Sequence, residues 1–117
     1  MEDCIFCKIA KGEVSSKFIY EDEDFFIIND IHPVAKIHYL AIPKKHYARF
    51  EQADDNLEVL RKIFVKIGEM KEDLGLKDGY RIIINQGENG NQVVQHLHVH
   101  IIGGQKLGPK IDHKGEC

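Results

Sequence analysis

Polar and apolar residues alternate strictly over His96-Leu97-His98-Val99-His100-Ile101, with Ile102 next and Gly103-Gly104 closing the run. A period of two places Leu97, Val99 and Ile101 on one side of an extended chain and the three histidines on the other. The stretch from Gln92 to Ile102 therefore reads as a β-strand with one aliphatic and one imidazole face. On a helix the same residues would point in three directions, and the β-branched Val99, Ile101 and Ile102 would be mildly unfavourable. Neighbouring imidazoles on such a strand stand about 6.6 Å apart at their Cα atoms.

The other apolar runs fall into place around it. Phe18–Tyr20 and Phe25–Ile28 are β-rich and flank the acidic group Glu21-Asp22-Glu23-Asp24, which predicts a hairpin. Asn29-Asp30 ends its second strand, and Ile31-His32-Pro33 is a bend. His38–Ile42 is a third strand stopped by Pro43. Tyr80–Asn85 is apolar enough to be a central strand, and Gln86–Asn91 joins it to the histidine strand as a hairpin. Between the third and fourth strands the period changes. Leu57, Leu60, Ile63/Phe64, Ile67, Met70 and Leu74 recur every three or four residues, an amphipathic helix of roughly 20 residues ending near Gly75. Asp54-Asp55 supplies its N-cap, with Asp55 and Glu58 spaced as a capping box. Ile5, Phe6, Ile9 and Ala10 before Gly12 predict a short N-terminal helix. Periodicity is lost beyond Gly104, so about 105–117 reads as a surface tail. The expected architecture is α+β: one domain over 1–117, a five-stranded antiparallel sheet, one long helix and a short one.

Composition narrows the function. The chain has 117 residues, 43% of them hydrophobic and 30% charged, as expected of a soluble globular domain. A net charge of −3 with scattered Lys and Arg excludes a nucleic-acid groove but not one or two phosphates on a small ligand. No apolar run approaches a membrane span, and Met1-Glu2-Asp3-Cys4 lacks a signal-peptide pattern, so the expected location is the cytoplasm. Three cysteines argue for free thiols or a metal rather than a disulfide framework. Cys4 and Cys7 have the C-x₂-C spacing of half a zinc site.

The imidazole face is the candidate chemistry. A neutral imidazole is a competent nucleophile towards phosphorus and leaves again readily, and a neighbouring histidine can donate the proton the reaction needs. The other reading is a metal held by two imidazoles at i and i+2.

His96-Leu97-His98-Val99-His100-Ile101-Ile102 resembles the signature of the histidine triad (HIT) family, and is most similar to its Hint branch of nucleoside phosphoramidases. Tyr20-Glu21-Asp22, Asn29-Asp30-Ile31, Ala41-Ile42-Pro43-Lys44-Lys45-His46, Gly79-Tyr80-Arg81 and Asn85-Gln86-Gly87 match in the same order, so the likeness spans nearly the whole chain. The resemblance implies hydrolysis of purine nucleoside 5′-phosphoramidates through a nucleotidyl-histidine intermediate, with no cofactor for catalysis. His98 matches the nucleophile, His100 the phosphate-binding histidine beside it, and His46 and His96 further members of the relay. Asp30 matches the acceptor of both ribose hydroxyls, and Ile31 the next ligand-facing position. Asn85, Gln92 and the backbone at Val93 and Val94 match the phosphate cradle. Ile19, Ile28 and Leu40 are candidates for the base slot. Val93 stands where many Hint proteins have a serine, which puts the rate or preferred leaving group in question. The resemblance further implies a homodimer with a ten-stranded sheet. Related galactose-1-phosphate uridylyltransferases combine a C-x₂-C with histidines similar in position to His46 and His96. That likeness implies a structural zinc on Cys4, Cys7, His46 and His96, which would remove the two histidines from the relay. The runners-up are a dinucleoside polyphosphate hydrolase of the Fhit type and a non-catalytic nucleotide- or metal-binding module.

Overall fold

The computed structural model describes residues 3–52 and 54–109. Its elements are α1 (Ile5–Ala10), β1 (Tyr20–Glu21), β2 (Phe25–Asn29), β3 (Ile37–Pro43), α2 (Asp54–Met70), β4 (Tyr80–Ile83) and β5 (Val99–Gly103), with a 3₁₀ turn at Phe50–Gln52. The strands form one antiparallel sheet in the order β1-β2-β3-β5-β4.

Alternation along each strand gives the sheet two different faces. Phe25, Ile27, Ala41, Leu97, Val99 and Ile101 point to one side and pack with Leu60, Ile63 and Ile67 of α2. Each fully buried aliphatic side chain there contributes about 1.5–3 kcal/mol. Phe26, Ile28, Leu40 and Ile42 point to the other side and pack with Phe6 and Ile9 of α1. After α2 the chain turns through Leu74 to Gly75, whose φ of +78° is the left-handed conformation in which glycine ends a helical segment without strain.

Several details depart from the sequence reading. The β4 strand is apolar but lies at the sheet edge, so β3 and β5 are the central strands. The regular ladder of β5 begins only at Val99, because the N–H of Leu97 is donated to the carbonyl of Tyr47, in the loop after β3, at 2.6 Å. The connection from β4 to β5 is accordingly longer than Gln86–Asn91. Pro43 still belongs to β3, paired with Phe25 at the end of the ladder. The capping box is not formed: Asp55 lies inside α2 and accepts from Tyr47 Oη at 2.6 Å and from Lys45 Nζ at 2.8 Å, while Glu58 pairs with Arg61. Ala53, immediately before the helix, lies outside the described residues. Of the tail, Gln105 and Gly108 are tied to the body by Lys36 and Arg81, and 110–117 with Cys117 lies outside the described residues.

Candidate active site and metal centre

The face bearing Phe26, Ile28, Leu40 and Ile42 also carries the histidines. Leu40 of β3 pairs with His100 of β5 and with Ile28 of β2, and His38 pairs with Ile102, so these side chains stand in rows across three strands. Asp30 follows β2 on the same parity, and its N–H is donated to the His38 carbonyl at 2.9 Å.

Hydrogen-bond partners assign the imidazole tautomers, because a carbonyl oxygen only accepts and a backbone N–H only donates. His98 donates Nδ1–H to the carbonyl of His96 at 2.7 Å, which leaves the lone pair of a neutral ring on Nε2. Val34 donates its N–H to His38 Nδ1 at 3.2 Å, so the hydrogen of His38 is on Nε2. That nitrogen lies 2.9 Å from His100 Nδ1 and 3.2 Å from Asp30 Oδ2. His100 thus receives at Nδ1 and keeps its own hydrogen on Nε2. One ring presents a lone pair and its neighbour a donor, the two partners that attack on a phosphorus centre requires. Asp30, His38 and His100 also converge as a potential metal-ligand group. The Val34 N–H argues against that use, since it occupies His38 Nδ1 and keeps a hydrogen on the atom that would face the ion.

Burial holds these rings neutral. His38, His98 and His100 are all buried, and desolvation lowers the pKa of each, that of His100 to about 4; the Asp30 carboxylate opposes the shift at all three. A ring that resists protonation only when folded stabilises the protein fully above its ordinary pKa of 6.5, and that contribution is lost as pH falls towards 4. Thermal unfolding followed from pH 7 to pH 4.5 should show a falling Tm, with a loss of up to about 1.4 kcal/mol per pH unit for each such histidine. His100→Asn should flatten the decline. An equally steep decline in that variant would place the effect elsewhere.

A second cluster adjoins the first. The Sγ atoms of Cys4 and Cys7 and the Nδ1 atoms of His46 and His96 all lie within 4.8 Å of one another. Cys4 Sγ is 3.3 Å and Cys7 Sγ 3.6 Å from His96 Nδ1, Cys7 Sγ is 3.2 Å from His46 Nδ1, and the two Nδ1 atoms are 3.1 Å apart. A tetrahedral zinc with bonds of about 2.3 Å to sulfur and 2.0–2.1 Å to nitrogen has ligand edges of roughly 3.3–3.8 Å, close to this spacing. His96 donates Nε2–H to the Pro43 carbonyl at 2.7 Å, which turns the lone pair of Nδ1 towards the thiols. Burial and the neighbouring Cys4 push the Cys7 thiol up to about 11, so a cation binding here displaces a proton. The donor set and its spacing fit a soft divalent ion.

The other candidates are dispersed. Both hydrogens of the Gln92 amide go to the carbonyls of Ala48 and Val94 and its oxygen accepts from Gly87, so the side chain braces the loop before β5. Asn85 is half-buried just past β4. Val93 and Ile31 are 78% and 86% exposed, and Val94 packs against the Phe6 cluster. Ile28 and Leu40 lie on the histidine face, whereas Ile19 packs with the α2 side. Asp30 is also a turn residue, its Oδ1 accepting the His32 N–H at 2.8 Å. Sequence reasoning missed His38. With both nitrogens of His96 engaged by Pro43 and the thiol cluster, His38 rather than His96 stands behind His100. Its parity is readable, since His38, Leu40 and Ile42 alternate along β3, but that β3 lies beside the histidine strand is not.

One sheet face is thus lined by neutral histidines and backed by a carboxylate. The model of the HIT domain matches residues 11–107, and the chain belongs to the HIT family. It is 41% identical to protein HitA of Neisseria gonorrhoeae over 104 residues, 88% of this chain and 97% of that protein. Among solved structures it is similar to a HIT family hydrolase from Clostridium thermocellum (45% identity, TM-score 0.87, 95% of this chain and 98% of that one). It is also similar to a zinc-bound histidine triad family protein from Mycobacterium smegmatis (31% identity, TM-score 0.76, 96% and 81%). No helix among the described residues is long and apolar enough to cross a membrane.

Proposed function

We propose that this protein is a nucleotide hydrolase that cleaves the phosphorus–nitrogen bond of purine nucleoside 5′-phosphoramidates. The observation that carries the reading is the tautomer of His98: its Nδ1–H is tied to the His96 carbonyl, so Nε2 is the lone pair on a ring that burial keeps neutral at pH 7. His98 Nε2 attacks the phosphorus and the P–N bond to the leaving amine breaks. The amine takes its proton from a water molecule, while His100 keeps its Nε2–H as a hydrogen-bond donor to a phosphoryl oxygen, and the positive charge carried by the phosphorylated His98 ring is favoured by the Asp30 carboxylate. The hydroxide left by that water attacks the nucleotidyl-histidine, the bond from phosphorus to His98 Nε2 breaks, and the nucleoside monophosphate is released with His98 again neutral. A solved relative that is a HIT family hydrolase supports the reaction class.

Asp30 holds the ribose in this reading, and Ile28 and Leu40 lie under the base. Asp30→Ala should weaken ribonucleotides by about 1.5–3 kcal/mol, the value of charge-assisted hydrogen bonds, and leave 2′,3′-dideoxy analogues nearly unaffected in titration calorimetry. Equal losses for both would reduce Asp30 to its turn and its histidine contacts. Assaying adenosine and guanosine 5′-phosphoramidates beside a dinucleoside polyphosphate tests the substrate class. Preference for the polyphosphate would replace the reading with the Fhit-like one.

Zinc on Cys4, Cys7, His46 and His96 is part of the proposal, and when bound it supplies a structural cross-link. The zinc-bound relative supports it. The proposal includes a homodimer with a continuous sheet, working in the cytoplasm. An apolar strand at the edge, with Ile82 38% exposed and Phe64 and Val65 exposed on α2, is the surface a second copy would cover.

A further inference from the structure

The two clusters are joined by a side chain that neither the relay nor the metal set contains. Phe6 lies between Cys4 and Cys7 in sequence, on α1, and is buried. Its ring meets His98 edge-on, with centroids 5.2 Å apart at 65°, and meets His96 at 5.7 Å and 88°. Three restraints on the His98 imidazole are thus visible: the carbonyl of His96, the ring of Phe6, and the ring of His100 at 5.0 Å. Two of the three come from a metal-ligand residue or from a residue flanked by metal ligands. A turn of the His98 ring about its Cβ–Cγ bond would break the Nδ1–H hydrogen bond and swing Nε2 away, and the edge contact with Phe6 stands against it.

Helix α1 cannot hold Phe6 there unaided. At six residues it is far too short to be stable alone. Its first turn is closed by the Cys7 N–H donating to Cys4 Sγ at 3.3 Å, so the sulfur that caps the helix is also a metal ligand candidate. Ile9 and Phe6 dock it on the sheet, and the thiols reach His46 after β3 and His96 before β5.

We propose that Phe6 is a positioning residue for the nucleophile, and that a cation held by Cys4, Cys7, His46 and His96 fixes the His98 ring through Phe6 and the His96 carbonyl. This rests on the metal and nucleophile readings given above. The measurement is NMR of the histidine rings in ¹⁵N-labelled protein, the His98 signals being assigned by their absence in His98→Ala. With zinc bound, His98 should give one sharp ring set and a protected Nδ1–H. Removing zinc with a chelator should broaden or erase that Nδ1–H, and adding Zn²⁺ should restore it. Phe6→Ala should lose the same signal while keeping its zinc by elemental analysis. Its kcat should fall about tenfold to a hundredfold with KM nearly unchanged, as for a misplaced reacting group. Phe6→Leu, which keeps most of the apolar volume, should fold if the alanine variant does not, and should show the same loss in weaker form. Unchanged His98 signals in the Phe6 variants overturn the positioning role, and unchanged signals on zinc removal overturn the metal coupling. The ring readout needs no substrate, so a failure of the hydrolase reading would leave the restraint on the His98 ring standing, and a failure here would leave the hydrolase reading intact.

Discussion

His98→Ala should lower kcat for a nucleoside 5′-phosphoramidate by at least about 10³-fold, the scale on which removing a covalent nucleophile acts. His98 is the histidine whose lone pair is fixed on Nε2 by its own backbone, through the His96 carbonyl at 2.7 Å. Neither neighbouring ring, His96 or His38, is a substitute. His96 has Nε2–H committed to Pro43 and Nδ1 turned to the thiols, and His38 has Nδ1 committed to Val34 and Nε2 to the His100–Asp30 pair. The variant should still fold, since Leu97, Val99 and Ile101 keep the α2 face of the strand filled. The nucleoside monophosphate should still bind through Asp30 and the apolar floor at Ile28 and Leu40. Turnover is read under single-turnover conditions, with ligand affinity measured by calorimetry in parallel. More than about 1% of the wild-type kcat in a folded, ligand-competent variant would exclude a His98-linked intermediate.

The sheet and its two faces were legible because alternation is a local property. Phe25/Ile27 against Phe26/Ile28, Ala41 against Leu40/Ile42, and Val99/Ile101 against His98/His100 can be separated by counting in twos, and the observed registers keep each set on one face. Strand order was not legible. β4 reads as central because Tyr80–Ile83 is apolar, yet order in a sheet is decided by which edges meet, and β5 takes both β3 and β4 as neighbours. The start of β5 was misjudged for a similar reason: His96 and Leu97 have the alternation of a strand, but their backbone partner is Tyr47 in a loop. The same limit hid His38. It sits far from the triad in sequence, and only the pairing of His38 with Ile102 brings its ring against His100. Gln92 shows the converse, a polar residue beside the triad whose amide is consumed by three backbone groups that no local pattern reveals.

Zinc removal should produce the other large effect. Protein purified without added metal should contain close to one zinc per chain by elemental analysis, and Cys4→Ser or Cys7→Ser should lower that content sharply. Each substitution takes one of four ligands from a set spaced at tetrahedral edges. An ion present at about 1,000 times its dissociation constant stabilises the folded state by about 4.1 kcal/mol. At a few degrees per kcal/mol for a domain of this size, chelation should lower Tm by roughly 10–20 °C. The α2 side of the core is a separate hydrophobic cluster from the one on which α1 docks, so the stripped protein should remain folded, with α1 the first segment to lose protection in hydrogen exchange. Turnover should fall on chelation through the loosened His98 but should not vanish, because an imidazole nucleophile needs no metal; His98→Ala should abolish it with or without zinc. A zinc content far below one per chain, unchanged by Cys4→Ser and with the same Tm in chelator, would leave Cys4 and Cys7 as packing residues of α1. Turnover wholly lost on chelation and restored by Zn²⁺ would instead put a metal ion in the reaction itself.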